Sequence, residues 1–447
     1  MKNFAFLLSL CLILPFSSKA QVDHTLYGFR TLPQVTMTNP AHIPLSKINF
    51  TMIPGLSSAS VAFNNSGFTY SNLVDESIES TVENLRERNF VDFKLDNEWL
   101  HFGMKIAKKN YLHLSISERA RAQIQYPKDL ITLLWEGNGR SLLGQTADLS
   151  NMAVNLMHYR EYAVGFAREV TDELTLGARA KYLNGFSTFY TRRSQFGLNT
   201  DSTSFDLTMT GNFEVNSAGL PLSGDSTFTY NPLFTNNSGV AFDLGLAYRS
   251  KTGFGFSLSA LNLGSITWRD KTESYTNEDI SFVYRGIPIN NIFVTDDSTA
   301  ASAVEELRDT LLSEFNTEVD NQSFSTVMPA QLFLGFSQQL LNERLLISLV
   351  GNGVIQNGYF RGGARLGATV TVGKILGLTA NYGVYGNSPF NLGFGFSVTP
   401  GPVQFYMLTD NVIGLPLWDK HKNVHVRFGF NITIGKQYGK SFLKVRA

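Results

Sequence analysis

Val424-His425-Val426-Arg427-Phe428-Gly429-Phe430-Asn431-Ile432-Thr433-Ile434 alternates without a break. Val424, Val426, Phe428, Phe430, Ile432 and Ile434 form one oily face. His425, Arg427, Gly429, Asn431 and Thr433 form a polar or small one. Successive side chains of a strand point to opposite faces, so this period of two marks a strand with two unlike environments. The pattern repeats in Val240–Arg249, where Val240, Phe242, Leu244, Leu246 and Tyr248 alternate with Ala241, Asp243, Gly245, Ala247 and Arg249. It recurs in Leu174–Tyr182, Ala364–Val372 and Leu392–Val398. Runs of about 10 residues exceed the usual 5 to 6 of soluble strands. They match the length a tilted strand needs to cross a bilayer. In hydrocarbon every backbone donor and acceptor must be paired internally, which for strands requires closure. The fold class is therefore all-β: a transmembrane antiparallel β-barrel, oily face to lipid and mixed face to the lumen.

The links set the strand number. Six are short, around Lys108-Lys109-Asn110, Val170-Thr171-Asp172, Ser250-Lys251-Thr252, Leu341-Asn342-Glu343, Gly373-Lys374 and Thr399-Pro400-Gly401. Seven others alternate with them: 69–97, 127–152, 191–238, 269–325, the turns at Gln356-Asn357-Gly358 and Gly386-Asn387-Ser388, and 411–421. Short periplasmic turns alternating with longer outer loops are the rule for such barrels. These links join fourteen strands over 48–435, with both ends of the wall on the periplasmic side. Ser204–Val215 also alternates, and is assigned to a ribbon from the third outer loop. If it crosses with a partner such as Thr227–Phe234, the barrel has sixteen strands. Trp99 and Trp268 at outer strand ends, Trp135 and Trp418 in outer loops, and Tyr111 and Tyr248 near periplasmic turns fit the aromatic belts of a membrane protein.

Residues 1–20 read as a secretory signal peptide: Lys2, an apolar run from Phe4 to Phe16, then Ser18-Lys19-Ala20 as a small-residue cut site. Cys11, the only cysteine, lies inside it, so disulfides and thiolate chemistry drop out of the mature chain. After residue 20 no apolar window is long enough for a spanning helix. Charges balance, 37 basic against 37 acidic, which gives no footprint for nucleic acid. The 35 Phe and 38 Gly suit lipid-facing strands with tight inward positions. Short loop helices are expected at Ser298–Phe315, whose Val304, Leu307, Leu311 and Phe315 make one stripe. Others are expected at Asp75–Arg88 and from Lys128 after Pro127.

Two segments carry a resemblance. Thr38-Asn39-Pro40-Ala41 resembles the motif after the leader in FadL-type transporters of hydrophobic compounds, and the start of PorV and PorP/SprF barrels linked to type IX secretion. Arg427-x-Gly429-x-x-Ile432-x-Ile434 resembles the signal that barrel-assembly machinery reads on a last strand. The whole mature chain resembles an outer-membrane family defined only as a domain of unknown function, through that Asn-Pro-Ala start, the Ile53-Pro54-Gly55-Leu56 strand, Asn64-Asn65-Ser66-Gly67-Phe68 and Val426–Asn431. The resemblance implies an outer-membrane location and brings no activity. It implies that 21–47, with Pro33, Pro40 and Pro44, folds inward as a plug carrying Asn39, Pro40 and Ala41; a plain periplasmic segment is the alternative. The basic C-terminal tail 436–447 departs from barrels that end at the signal strand.

No residue set carries chemistry. The histidines lack a metal spacing, and His421 and His425 need not converge on a strand. Gly351-Asn352-Gly353 lies between strand residues and is no phosphate cradle. His113 and Ser115 share a side of one strand without an orienting acid, so an enzyme and a cofactor are not expected. By parity Arg119, Arg121, Arg179, Lys181, Arg249, Arg361, Arg365 and Arg427 point inward, with Asp243 and Glu161 as inward acids. They either receive an anionic head group or form a ladder with acids from plug and loops. Two functions fit: a FadL-like conduit or binding barrel for small hydrophobic compounds, or a non-transporting barrel that docks a partner of a secretion or cell-surface machine. Either would meet outer-membrane lipid and the assembly machinery.

Overall fold

The computed structural model describes residues 23–74, 78–220, 235–285, 318–341, 344–356, 358–373, 375–385 and 388–435. The signal peptide, Thr227–Phe234, the Ser298–Phe315 helix and the tail 436–447 lie outside the described residues.

In chain order the strands are β1 (Ile48–Thr51), β2 (Ser58–Asn65), β3 (Arg88–Ile106), β4 (Asn110–Pro127), β5 (Thr146–Asp148), β6 (Ala153–Glu169), β7 (Leu174–Thr200), β8 (Leu207–Ala218), β9 (Ser238–Arg249) and β10 (Phe254–Trp268). Then come β11 (Thr272–Tyr284), β12 (Glu318–Asp320), β13 (Phe324–Val327), β14 (Ala330–Leu340), β15 (Leu345–Gln356), β16 (Tyr359–Val372), β17 (Leu376–Tyr385), β18 (Ser388–Val398), β19 (Val403–Thr409) and β20 (Asn423–Ile434). Fourteen strands close the antiparallel barrel wall. β1 and β2 together are the first, β13 and β14 together the eighth, and β20 closes on the first through Phe50↔Ile432 and Val61↔Val426. The wall is inside out relative to a soluble protein. Val164, Phe242, Leu366 and Phe394 are exposed on its outer surface, while Glu161, Asp243, Arg365 and Gln404 are buried within.

β8 pairs with the upper end of β7 (Thr200↔Leu207) and with β11 (Thr272↔Ala218), forming a ribbon above the wall. With those partners it adds no crossing, and the sixteen-strand alternative falls. Helices occur at Tyr70–Val74, Ile78–Glu83 and Lys128–Glu136, so the helix expected over Asp75–Arg88 ends at Glu83.

Several expectations need correction. The outer loop 69–97 ends sooner, because β3 starts at Arg88 and its upper half pairs with both β2 and β4. Likewise β7 and β8 occupy much of 191–238, and β11, β12 and the start of β13 lie in 269–325. Ile53-Pro54-Gly55-Leu56 is a turn that splits the first wall strand. Pro54 has no N–H for a ladder, and Gly55 adopts φ +81°. Trp268 is buried in the lumen, its Nε1 donating to Thr326 Oγ1 at 2.9 Å. A bulge at Asn262 (φ +60°) shifts the β9–β10 register and swaps inward for outward beyond it. Tyr111 also faces inward, bonded to Asn49 at 3.0 Å, and is no belt residue.

The wall has unequal height. β3, β4 and β6 run 19, 18 and 17 residues, whereas β14, β15 and β17 run 11, 12 and 10.

Candidate functional site

Residues 23–47 lie inside the lumen as a compact plug of turns with one 3₁₀ turn, Pro33–Met37. Pro33 presets the φ of that turn, and Gly28 at φ +78° supplies the reversal before it. Asn39 folds the next corner. Its Oδ1 accepts from Ala41 N–H at 2.8 Å, an Asx turn, while its Nδ2 donates to the carbonyls of Leu246 and Leu258 at 3.2 Å each. Pro40 and Ala41 then pass against Gly177 and Gly245. A Cβ at Gly177 would overlap the Pro40 carbonyl, and one at Gly245 would overlap the Asn39 amide. Glycine in these two wall strands lets the plug backbone lie against the sheet.

The rest of the plug is held by the C-terminal strands. Gln404 Nε2 donates to Thr31 O at 2.9 Å, and Gln34 Nε2 donates to Asn431 Oδ1 at 2.9 Å and to Glu98 Oε2 at 3.0 Å. Leu26, Phe29 and Leu32 pack on Tyr406 and Leu408. At its upper tip Thr25 N–H donates to Asp410 Oδ1 at 2.8 Å. Arg427 Nε and Nη2 grip the two oxygens of Asp23 at 3.0 and 2.9 Å. Burial pushes the Asp23 carboxyl up, but the charges of Arg427 and His425 outweigh it and hold the group well below the ordinary carboxylate range.

The lumen cations are paired. Arg179 Nε donates to Asp243 at 2.6 Å and Lys181 Nζ lies 2.8 Å from Asp243 and 3.5 Å from Glu161. Arg119 joins Glu161 at 3.1 Å to Asp96 at 3.0 Å, and Arg121 also bonds Asp96. Arg361 meets Asp92 at 2.6 Å, and Arg365 Nη2 donates to Tyr27 O at 2.6 Å. Arg249 is exposed at the short-turn rim. With its cations engaged, this lumen is no open receiver of an anionic head group. Nor do plug and loops supply most of the acids: Asp92, Asp96, Glu161 and Asp243 are wall residues, and Asp23 comes from the plug. Arg179↔Asp243 and Arg119↔Asp96 are register partners on adjacent strands, where opposite charges meet directly. Asp92 and Asp96 fell within the expected loop 69–97; the available signal was the alternation of Asp92, Lys94 and Asp96 with Phe93 and Leu95. Asp23 carried no signal, since its partner is 404 residues away.

No metal-binding set assembles among the described residues; Ser60 Oγ lies 3.2 Å from His425 Nε2 and Asp410 Oδ2 lies 3.1 Å from His425 Nδ1, inside the plugged lumen. Neither His113 ring nitrogen nor Ser115 Oγ has a hydrogen-bond partner among them, and Glu98 is engaged by His101 at 3.0 Å. His421 faces Asn411 and His425 faces Asp410, so that pair does not converge.

A cavity of about 190 Å³ remains between the plug and strands β7, β9, β10, β14 and β15. It lies at the short-turn end of the barrel, bordered by the turn residues Asp172, Glu173 and Gly253. Tyr27, Ile43 and Val350 give it an oily side, and Arg30 and His42 a polar one. His42 is buried; desolvation first, and the Arg30 charge second, lower its pKa to about 3.

The model of a family of unknown function, DUF5723, matches residues 40–410. No curated protein matches the sequence. Among solved structures the chain is similar to a TodX monoaromatic hydrocarbon channel mutant (TM-score 0.44, 11% identity, 91% of this chain and 95% of that one). It is also similar to a FadL homologue of Pseudomonas aeruginosa (TM-score 0.42, 10% identity, 94% and 97%) and to the toluene transporter TodX of Pseudomonas putida (TM-score 0.39, 10% identity, 89% and 91%).

Proposed function

The chain belongs to DUF5723, a family of unknown function, and from its geometry we propose that it is a plugged outer-membrane conduit for small amphipathic compounds. The observation that carries this is the plug seated on glycine in the wall, beside a half-oily cavity at the periplasmic end. A wall shaped to a separate segment permits that segment to shift as a unit. Charged walls disfavour a purely hydrocarbon cargo, because a neutral oil gains nothing from paired ions that must stay paired. A compound with an apolar body and one polar end suits the cavity better. In this reading export and insertion bring the chain to the outer membrane, where assembly machinery reads Arg427, Gly429, Ile432 and Ile434. Of these, Ile432 and Ile434 face lipid, while Arg427 also grips the plug.

The test is uptake of labelled medium-chain alcohols and simple phenols, beside the corresponding acids, by cells with and without the gene. Uptake lost on deletion, and restored by the wild-type chain, supports the conduit; unchanged uptake for every compound removes it. A second reading, a barrel that docks a secretion or surface machine, has the β7–β8–β11 ribbon above the wall in its favour. Cross-linking from that ribbon in intact cells would capture the partner, and would capture nothing under the first reading.

A further inference from the structure

The plug fills the lumen up to Asp410 and Tyr385, at the outer ends of β19 and β17. Just above its tip the wall makes a second contact. Counted around the wall, β3 is the second strand and β16 the tenth, six steps apart by the shorter way. In a round fourteen-strand barrel such strands face each other across roughly 25 Å. Yet Arg361 Nη1 of β16 donates to Asp92 Oδ2 of β3 at 2.6 Å. Hydrogen-bonded Arg and Asp side chains span no more than roughly 13 Å between Cα atoms. The two walls therefore lean together at this level.

The contact is built rather than incidental. Both side chains are 9% exposed. Gln123 Nε2 donates to the other Asp92 oxygen at 2.7 Å, and Gln356 Oε1 accepts from Arg361 Nη2 at 3.0 Å. The Arg361 guanidinium lies 4.9 Å from the Phe90 ring centre. One turn outward, Arg88 Nη1 of β3 donates to Tyr359 OH of β16 at 2.9 Å. The unequal wall explains how the strands meet: Asp92 lies on the tall side and Arg361 on the rim of the short one. Strands β14 to β20 contain no Asp or Glu, and Asp410, just past β19, is engaged by Thr25 and His425.

We propose that Asp92 and Arg361 form a clasp that closes the outer mouth of the lumen, a second gate in series with the plug. What the gate would admit rests on the conduit reading; the closure itself does not. Asn352 is the next inward residue below Arg361, on the paired strand β15, and is buried. Its cysteine variant reports access through the mouth, because Cys11 in the expected leader is the only native cysteine.

The experiment labels Asn352→Cys in intact cells with a bulky, membrane-impermeant maleimide. Ser202→Cys on the exposed ribbon serves as the reference. With the clasp intact, Asn352→Cys should label far more slowly than Ser202→Cys. Arg361→Ala should raise its rate by about tenfold or more, the factor expected on losing one charge-assisted hydrogen bond. The swap Asp92→Arg with Arg361→Asp should lower it again. Heat-modifiable gel migration checks folding, and Asp92→Asn replaces any variant that fails to fold. Labelling that is fast with the clasp intact, or unchanged in Arg361→Ala and Asp92→Asn, overturns the proposal. Slow labelling relieved by the variants, in cells that take up none of the tested compounds, keeps the clasp and removes the conduit.

Discussion

Cations on the β3–β9 arc and cations on the β14–β20 arc face the same lumen but find partners in different places. On the first arc Arg119, Arg121, Arg179 and Lys181 pair with Asp96, Glu161 and Asp243 on their own or neighbouring strands. The second arc has no acid within its strands. Its Arg427 reaches the plug residue Asp23, Arg365 reaches the plug carbonyl of Tyr27, and Arg361 reaches the opposite wall. Burial forbids an unpaired charge in either place. Paired locally, a charge stiffens the sheet; denied a local acid, it ties the sheet to something separate from it. The cations of the first arc thus brace the sheet, and those of the second reach across to the plug and the opposite wall.

Breaking a pair on the first arc should have the largest effect. Asp243→Ala removes the acid closest to Arg179 and Lys181 and leaves Glu161, already engaged by Arg119, to serve both. That should cost about 3–5 kcal/mol of barrel stability, as for other buried pairs broken on one side. Urea unfolding of the purified protein measures it. A loss as small as that of an exposed pair would mean that water already fills this part of the ladder.

On the second arc the corresponding change should spare the barrel and loosen the plug. Asp23→Asn removes one bidentate charge-assisted contact, worth about 1.5–3 kcal/mol of plug seating. Limited proteolysis of the plug should accelerate while urea unfolding of the wall stays nearly constant. If both move together, plug and wall are one cooperative unit and the contrast between the arcs fails.

The smallest effect is a pH dependence. His42 has a pKa of about 3 in the seated plug, depressed by burial and by Arg30, against 6.5 as its ordinary value. A depressed value means seating is fully supported above about pH 6.5 and weakens as pH falls toward 3. Asp23 adds no slope in the upper part of that range, since its carboxyl is ionised there in both seated and released plug. Proteolysis of the plug should therefore quicken between about pH 7 and pH 5, and His42→Gln should flatten the profile. A slope that survives His42→Gln assigns it to another group.

The barrel was legible because its signal is local. Alternation in Val424–Ile434 needs neighbours two residues apart, and turn chemistry at links such as Ser250-Lys251-Thr252 needs three or four. Local rules failed where one residue changed parity or a ladder ran on past the membrane. The bulge at Asn262 turned Trp268 inward, Pro54 and Gly55 cut a strand in two, and pairing to β4 carried β3 up through residues expected to be loop. The candidate site was half legible. Parity placed Arg119, Arg179, Arg361 and Arg365 inward, but parity cannot name a partner.

The sequence by itself determined an alternating, lipid-facing wall of fourteen strands, an N-terminal segment with three prolines, and a C-terminal stretch of strands without acids. Only the tertiary structure decided which charges meet. Asp23 with Arg427, and Asp92 with Arg361, join residues 404 and 269 positions apart, and such distances become short only once the barrel has closed. Spacing along the chain sets which face a side chain takes. Closure, wall height and the seat of the plug set what stands opposite it.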